Sequence, residues 1–128
     1  MIDLKKYIVE KFRLSKDNLT NHYEPDDPTY WEVDDVLSGT YGYNMTLPVF
    51  YKIVKKTPKG FSVVKLTSKL ASGHYNGSFT EVPDDSCLAD DLKQKPKTVR
   101  INSRGNVVID RCYVTLWNGK PVWGNDMD

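Results

Sequence analysis

The strongest constraint on the fold is a run of strand-forming sequence that begins at residue 47. Two segments rich in β-branched and aromatic residues, 47–56 and 61–70, flank the tetrapeptide Thr-Pro-Lys-Gly at 57–60. Proline fixes φ at one turn position and glycine supplies conformational freedom at another. This stretch therefore predicts a β-hairpin.

Further strands are predicted along the rest of the chain. Residues 98–102 and 107–116 flank a Ser-Arg-Gly-Asn turn, which predicts a second hairpin. Residues 118–119, Asn-Gly, are typical of a two-residue hairpin turn, and we expect residues 122–123 to pair back across it. Short strands are also expected at 30–37 and 78–82, and one or two helical turns at 84–94.

The N-terminal part of the chain carries a helical signal. Leu4, Tyr7, Ile8 and Phe12 recur at helical spacing, which predicts an amphipathic helix over residues 3–14. We expect one domain over residues 1–128, with this helix and an acidic loop at 1–38 and a β-rich core at 39–128. The expected fold class is mainly β (α+β), either a small antiparallel curved sheet or an SH3-like barrel with an N-terminal α-helix.

Composition excludes several classes of function. The chain has 18 Lys and Arg against 17 Asp and Glu, so it has no global field that would attract nucleic acid or membranes. No apolar run approaches the roughly 20 residues of a membrane helix. The N-terminal residues lack the apolar core of a secretory signal, and the two cysteines are typical of reduced thiols. We therefore expect a cytoplasmic protein that does not bind membranes.

Candidate catalytic and metal-binding groups are few and scattered. The only histidines, His22 and His74, lie in loop-like stretches, and nothing local activates Cys87 or Cys112. The paired aspartates at 26–27, 84–85 and 90–91 lack the ligand spacing of a zinc site or an EF-hand. We expect no catalytic residue, no metal and no cofactor. A hydrolase or metal-dependent enzyme that uses a histidine with a nearby aspartate is the least favoured alternative.

One face of the first hairpin mixes lysines with apolar side chains. If the hairpin closes without a bulge, Lys52 lies opposite Lys65, and two like charges require a nearby anion. In one interpretation, the acidic side chains of residues 24–35 neutralise this face from within the molecule. In the other, lysines and aromatic rings bind nucleic acid, as in small β-barrel proteins. The candidates are Phe50, Lys52, Lys56, Phe61 and Lys65, with Lys55, Lys59, Lys69, Arg100 and Arg104 as an extension.

Four stretches carry a resemblance to other proteins. They are residues 42–46 (Gly-Tyr-Asn-Met-Thr), 50–59 (Phe-Tyr-Lys-Ile-Val-Lys-Lys-Thr-Pro-Lys), 63–66 (Val-Val-Lys-Leu) and 117–121 (Trp-Asn-Gly-Lys-Pro). In this order they resemble uncharacterised small β-domain proteins of phages and mobile elements. The resemblance implies an accessory protein of a mobile element, located in the host cytoplasm if it is phage-encoded, and it brings no catalytic residue.

These observations favour a non-catalytic binding module that engages a host or phage protein, with the blocking of a defence system as one such role. Exposed aromatic side chains are common anchors of protein interfaces, and the candidates are Tyr41, Tyr43, Trp117 and Trp123. The alternative is a nucleic-acid-binding small β-barrel that uses the first hairpin. A protein partner is favoured over nucleic acid, and the oligomeric state stays open.

Overall fold

The computed structural model of this chain describes residues 27–42, 46–75 and 77–125. The helix predicted over residues 3–14 and the anchor candidate Tyr43 lie outside the described residues. The described strands are β1 (Val36–Tyr41), β2 (Leu47–Thr57), β3 (Gly60–Leu66), β4 (Ser68–Gly73), β5 (Ser78–Pro83), β6 (Lys97–Arg100), β7 (Val107–Ile109), β8 (Cys112–Leu116) and β9 (Val122–Asn125). Helical turns are shorter: two 3₁₀ turns at Pro28–Tyr30 and Asp85–Cys87, and the α-helix α1 at Leu88–Asp91.

Six strands form one antiparallel sheet that curls into a nearly closed barrel. The strand order is β6-β3-β2-β1-β8-β7, and each neighbouring pair is antiparallel. A bridge between Ile101 and Val107 links the two outer strands. Closure of this kind leaves little sheet edge exposed, which suits strands as short as β7. The prediction of a mainly β fold with a small, curved antiparallel sheet is confirmed.

Alternate residues of the barrel strands point inward and form the main core. Trp31 is fully buried against this core, with its ring centroid 5.7 Å from that of Phe61. Because Phe61 lies at the start of β3, Trp31 closes the barrel at that end. The other buried members of the core are Leu37, Val49, Tyr51, Ile53, Val63, Val99, Val107, Ile109, Cys112, Val114 and Leu116.

The remaining strands form a three-stranded sheet, β4-β5-β9, which packs on the outside of the barrel. Val82 of β5, Val122 of β9 and Leu88 of α1 lie against a second buried cluster. That cluster consists of Val36, Phe50, Val64, Leu66 and Trp117. Strands β2 and β3 are therefore buried on both faces, which accounts for the apolar residues at adjacent positions in their sequence.

The first hairpin forms as predicted, but its register differs from the unbulged one. Its turn contains two residues, since Thr57 pairs with Gly60, and Lys56 pairs with Phe61 as expected. A bulge between Ile53 and Lys55 then shifts the ladder by one residue. Lys52 consequently lies opposite Val64, and the expected pairing of Lys52 with Lys65 is wrong.

Several other elements differ from their predictions. Residues 61–70 form two strands in different sheets, and residues 107–116 contain a tight turn at Asp110 and Arg111. Strand β9 pairs with β5 rather than folding back across Asn118 and Gly119. The segment at 30–37 becomes strand only from Val36 onward. The strand at 78–82 and the helical turns at 84–94 are confirmed.

Candidate binding site at the barrel mouth

One end of the barrel is lined by polar side chains. The inward-facing residues of three strands change from apolar to polar there. Along β1 the inward row runs from Leu37 to Tyr41, and along β3 it runs from Val63 to Lys65. Along β6 it runs back from Val99 to Lys97. We call this end the barrel mouth. It encloses a pocket of 140 Å³ lined by Tyr41, Val49, Tyr51, Lys65, Asp110 and Cys112. Lys97 forms a hydrogen bond with Asp110 at the edge of this pocket.

The floor of the barrel mouth is a closed network of hydrogen bonds. The Tyr51 hydroxyl donates to Asp110 Oδ2 at 3.1 Å. The Lys97 ammonium forms an ion pair with the other carboxylate oxygen, Asp110 Oδ1. Asp110 reaches both groups from the turn between β7 and β8, where its φ is +51°. Each polar group of this triad therefore has a partner, and together they fix the geometry of the floor.

Protonation states in the network follow from these contacts. The hydrogen bond from Lys97, aided by the one from Tyr51, holds the pKa of Asp110 below its ordinary value. Burial, reinforced by the Asp110 carboxylate, raises the pKa of Tyr51. At neutral pH Asp110 is therefore a carboxylate and Tyr51 a neutral donor. This pairing stabilises a fixed arrangement and does not poise a proton for transfer.

The rim of the barrel mouth carries a cation, Lys65, whose charge helps to lower the pKa of Asp110 across the pocket without forming an ion pair within 4 Å. Lys65 is exposed, and its ammonium lies 6.0 Å from the ring centroid of Tyr41, itself 43% exposed. That distance is at the outer limit of a cation–π contact. Lys65 has no ion pair among the described residues, so its charge faces solvent beside an exposed aromatic ring.

Cys112 lies under the rim and is held in place by the backbone of β1. Its thiol donates to the Thr40 carbonyl oxygen at 3.0 Å. A Cβ at Gly39 would approach Cys112 Sγ to 2.6 Å, so glycine is required for this close packing. Burial raises the pKa of the Cys112 thiol, which keeps it protonated at neutral pH. The thiol is therefore a packing group of the pocket wall.

An apolar patch next to the barrel mouth was not recognised from the sequence. Tyr113 of β8 is 62% exposed, and its partner Val108 of β7 is 38% exposed. Both lie on the outer face of the hairpin whose turn carries Asp110. The available signal was the alternation of buried and exposed positions in β7 and β8. The turn at Asp110 and Arg111 interrupts this alternation, so the pattern does not continue through 107–116 as it would in a single strand.

The candidate protein anchors separate into three groups. Tyr41 lies at the rim of the barrel mouth, and Trp123 is 53% exposed on β9 in the other sheet. Trp117 is buried, stacks edge-on against Phe50 at 5.6 Å and donates from Nε1 to the Lys120 carbonyl oxygen. The prediction of Trp117 as an exposed anchor is therefore wrong, because the second core needs its ring.

The candidate nucleic-acid face is mostly unavailable to a ligand. Phe50, Phe61 and Lys52 are buried, the two rings in different cores, so they do not form one face. Lys65 alone of the five candidates keeps an exposed charge that no described acid pairs. The prediction that these five residues form one exposed face is therefore wrong, whereas nucleic-acid binding itself stays a prediction.

The acidic segment accounts for the two remaining lysines of that face. Lys52 Nζ lies 2.9 Å from Asp34 Oδ1. Lys56 Nζ lies 3.6 Å from Glu32 Oε1 and donates to the Thr29 carbonyl oxygen at 3.1 Å. The intramolecular interpretation, in which residues 24–35 neutralise the face, is confirmed for these two lysines within the described residues.

Comparisons with known proteins add no relative. No protein-family model, curated protein or solved structure matches this chain. Within the described residues, no three His, Cys, Asp or Glu side chains cluster in a way that could hold a metal ion. No helix in the same part of the chain has the length and hydrophobicity needed to cross a membrane.

Proposed function

We propose that this protein is a non-catalytic binding module whose barrel mouth binds an acidic side chain of a partner protein. The observation that carries the proposal is the exposed ammonium of Lys65, which forms no ion pair within 4 Å in the described residues, beside the exposed ring of Tyr41. The Asp110 carboxylate is already held by Tyr51 and Lys97, so an incoming carboxylate can contact Lys65 at the rim without competing for those two donors.

Several features favour a protein partner at this site over nucleic acid. The Asp110 carboxylate lines the same pocket and repels any anion, so it opposes a run of phosphates more strongly than a single carboxylate that contacts Lys65 at the rim. Tyr41, Tyr113 and Val108 supply exposed apolar area of the kind that anchors protein interfaces. A pocket of 140 Å³ accommodates one side chain rather than a stretch of polymer.

The proposal extends to the source and role of the protein. The resemblance of residues 42–46, 50–59, 63–66 and 117–121 to phage and mobile-element proteins supports an SH3-like accessory protein that acts in the host cytoplasm. Its partner is then a host or phage protein, and blocking of a defence system is a role that suits a small binding module.

Photo-crosslinking from the rim tests the proposal. The photoreactive residue p-benzoylphenylalanine replaces Tyr113, which is exposed and adjacent to the barrel mouth. Irradiation in a bacterial lysate should give a discrete adduct whose partner is identified by mass spectrometry. The adduct should be lost with Lys65→Glu and with Tyr41→Ala. It should persist with Lys69→Glu, which makes the same charge change on β4 of the other sheet.

A charge swap on the identified partner decides the outcome. Replacing the partner's contacting acidic residue by lysine should restore the adduct with Lys65→Glu, because the ion pair is re-formed with its signs exchanged. Absence of an adduct, an adduct insensitive to Lys65→Glu, or failure of the swap to restore it would each overturn the proposal. Far-ultraviolet circular dichroism of each variant shows that the barrel is intact.

A further inference from the structure

A second candidate surface, which carries two cationic side chains, lies at the opposite end of β3 from the barrel mouth. It is a groove between the β2–β3 turn and the end of β6, with a volume of 410 Å³. We call it the basic groove; it is lined by Thr57, Pro58, Lys59, Thr98 and Arg100. The groove and the barrel mouth share no lining residue.

Strand pairing explains why these residues form a groove. Gly60 pairs with Arg100, and an ideal Cβ at Gly60 would lie 1.9 Å from the Val99 carbonyl oxygen. Glycine therefore lets the backbones of β3 and β6 meet without a side chain between them. The exposed side chains of Lys59 and Arg100 rise on either side of this low floor.

Two cations, Lys59 and Arg100, line the basic groove, and two more, Lys55 and Arg104, lie in neighbouring segments. Lys55 and the groove residue Thr98 both pair with Ser62, on either side of β3. Lys55 therefore lies on the same outward face of the sheet as Thr98. Arg104 lies in the turn that follows β6. Lys55, Lys59, Arg100 and Arg104 are all exposed, and none has an ion pair to an acid within the described residues.

Four other cations of the described residues are paired with acids, whereas Lys65, Lys69, Lys95, Arg111 and Lys120 are as unpaired as the cations near the groove. Lys52, Lys56, Lys93 and Lys97 each have an acidic partner within 4 Å. The cations near the groove are therefore distinguished by their position, because Lys59 and Arg100 line it together with the hydroxyl-bearing Thr57 and Thr98. Ammonium, guanidinium and hydroxyl groups together form a surface of hydrogen-bond donors to oxyanions.

We propose that the basic groove binds the phosphate backbone of duplex nucleic acid without regard to sequence. Phosphate contacts come from lysine, arginine and hydroxyl side chains of this kind. Among the residues that line the groove there is no aromatic ring, which disfavours both stacking of single-stranded bases and a protein interface built on aromatic anchors. The site is separate from the barrel mouth and does not rest on the function proposed there.

Fluorescence anisotropy with a labelled duplex of about 20 base pairs tests the proposal across a salt series from about 50 to 200 mM. Four neutralised phosphates predict a slope of log K against log salt of about −3.6. The Lys59→Ala/Arg100→Ala variant removes two contacts, so the slope should fall to about −1.8 and affinity at the lowest salt should fall about 100-fold.

Matched controls separate the groove from general charge effects. Lys95→Ala/Lys120→Ala removes the same charge from two exposed sites elsewhere and should bind the duplex like the unmodified protein. Lys65→Ala should also leave duplex binding unchanged, which distinguishes this site from the barrel mouth. Absence of binding at the lowest salt, equal losses in the groove and control variants, tighter binding of the single strand, or equal competition by poly-glutamate would each overturn the proposal.

Discussion

Thr67 lies between β3 and β4 and is held there by the side chain of Asp91. Asp91 Oδ2 accepts from the Thr67 backbone N–H at 2.7 Å, and Oδ1 accepts from the Thr67 hydroxyl at 2.8 Å. This pair fixes the point at which the chain leaves the barrel and enters the second sheet. The buried carboxylate has a structural role in α1 that its sequence context, Ala-Asp-Asp-Leu, did not indicate.

Replacing Asp91 by alanine should destabilise the protein by about 1–3 kcal/mol, since two charge-assisted hydrogen bonds are lost and their donors regain only partial solvation. The neighbouring change Asp90→Ala is the matched control. Its side chain is 86% exposed and pairs only with Lys93 among the described residues, so it should cost well under about 1 kcal/mol. Urea unfolding of the two variants measures the difference, and equal effects would contradict the assigned role of Asp91.

The Asp110 network should make stability depend on pH in the acidic range. Because the folded state holds the pKa of Asp110 below its unfolded value of about 3.9, the carboxylate stabilises the fold above that value. This contribution is lost as the pH falls through the folded pKa. The advantage in Tm of the unmodified protein over Asp110→Asn should therefore shrink between about pH 5 and pH 2.

The Lys97→Ala background provides the control for this pH dependence. The hydrogen bond from Lys97 is the largest cause of the lowered pKa of Asp110. In the Lys97→Ala background, the Tm difference between the proteins with and without Asp110→Asn should therefore depend less on pH. The Tm of the unmodified protein, of Asp110→Asn, of Lys97→Ala and of the double variant, measured at several pH values, completes this double-mutant cycle. An unchanged pH dependence in the Lys97→Ala background would contradict the assignment.

Residue identity alone predicted some of these roles and not others. One of the two interpretations from the sequence, in which acidic residues before β1 neutralise lysines of the first hairpin, agrees with the ion pairs of Lys52 and Lys56. Charged side chains are rarely buried unless they are paired, and a nearby acidic segment can supply the partners. Trp117 and Trp123 flank the same turn, yet one is buried and one exposed. Trp117 is buried because it packs against Phe50, a residue far away in the sequence. The residues next to each tryptophan give no indication of such a contact.

At the scale of elements, the turn between β7 and β8 is the least expected feature. Asp110 and Arg111 have φ values of +51° and +69°, the left-handed pair that a two-residue hairpin requires. Asparagine and glycine favour such turns, whereas Asp-Arg gives no such signal. By contrast, Gly119 does adopt a positive φ of 83°, as Asn-Gly predicts, but the strand after it pairs with β5. Local sequence predicts where a turn occurs and not which strand comes next in the sheet.

Arg111→Gly should stabilise the protein, because glycine removes the steric cost of the left-handed conformation. After the entropy that glycine adds to the unfolded chain, the expected net gain is about 0.5–1 kcal/mol. Arg104→Gly is the control, since it removes the same charge from a turn whose left-handed position is already Gly105. Chemical denaturation should show a gain for the first variant and none for the second. A loss of stability for Arg111→Gly would contradict the strain argument.

At the scale of the whole molecule, closure of the barrel determines which residues become neighbours. The sequence indicates Tyr41 as a candidate for protein binding and Lys65 as a candidate for nucleic-acid binding. Because β1 and β3 flank β2 in the sheet, both side chains lie at the barrel mouth. The period-two pattern of each strand was readable from the sequence. The strand order and the bulge near Val54 were not, because they depend on packing between segments far apart in the chain.

The same closure places the barrel mouth and the basic groove at opposite ends of the barrel. Gly60 and Lys65 are five residues apart on β3, a separation of about 17 Å along the strand. Side chains this far apart without shared partners affect binding independently. The fold therefore presents two surfaces of different chemistry: an aromatic rim with Lys65, and a groove lined by Lys59 and Arg100 with Lys55 and Arg104 in neighbouring segments.

Independence of the two surfaces can be tested with one set of variants. Tyr41→Ala/Lys65→Ala should abolish the rim crosslink and leave duplex affinity unchanged, whereas Lys59→Ala/Arg100→Ala should do the reverse. The quadruple variant should lose the rim crosslink and bind the duplex as weakly as Lys59→Ala/Arg100→Ala does, within about 0.5 kcal/mol. Anisotropy and crosslinking on the same preparations measure both. Loss of both activities in either double variant would mean that one continuous surface, wrapped around the barrel, serves a single partner.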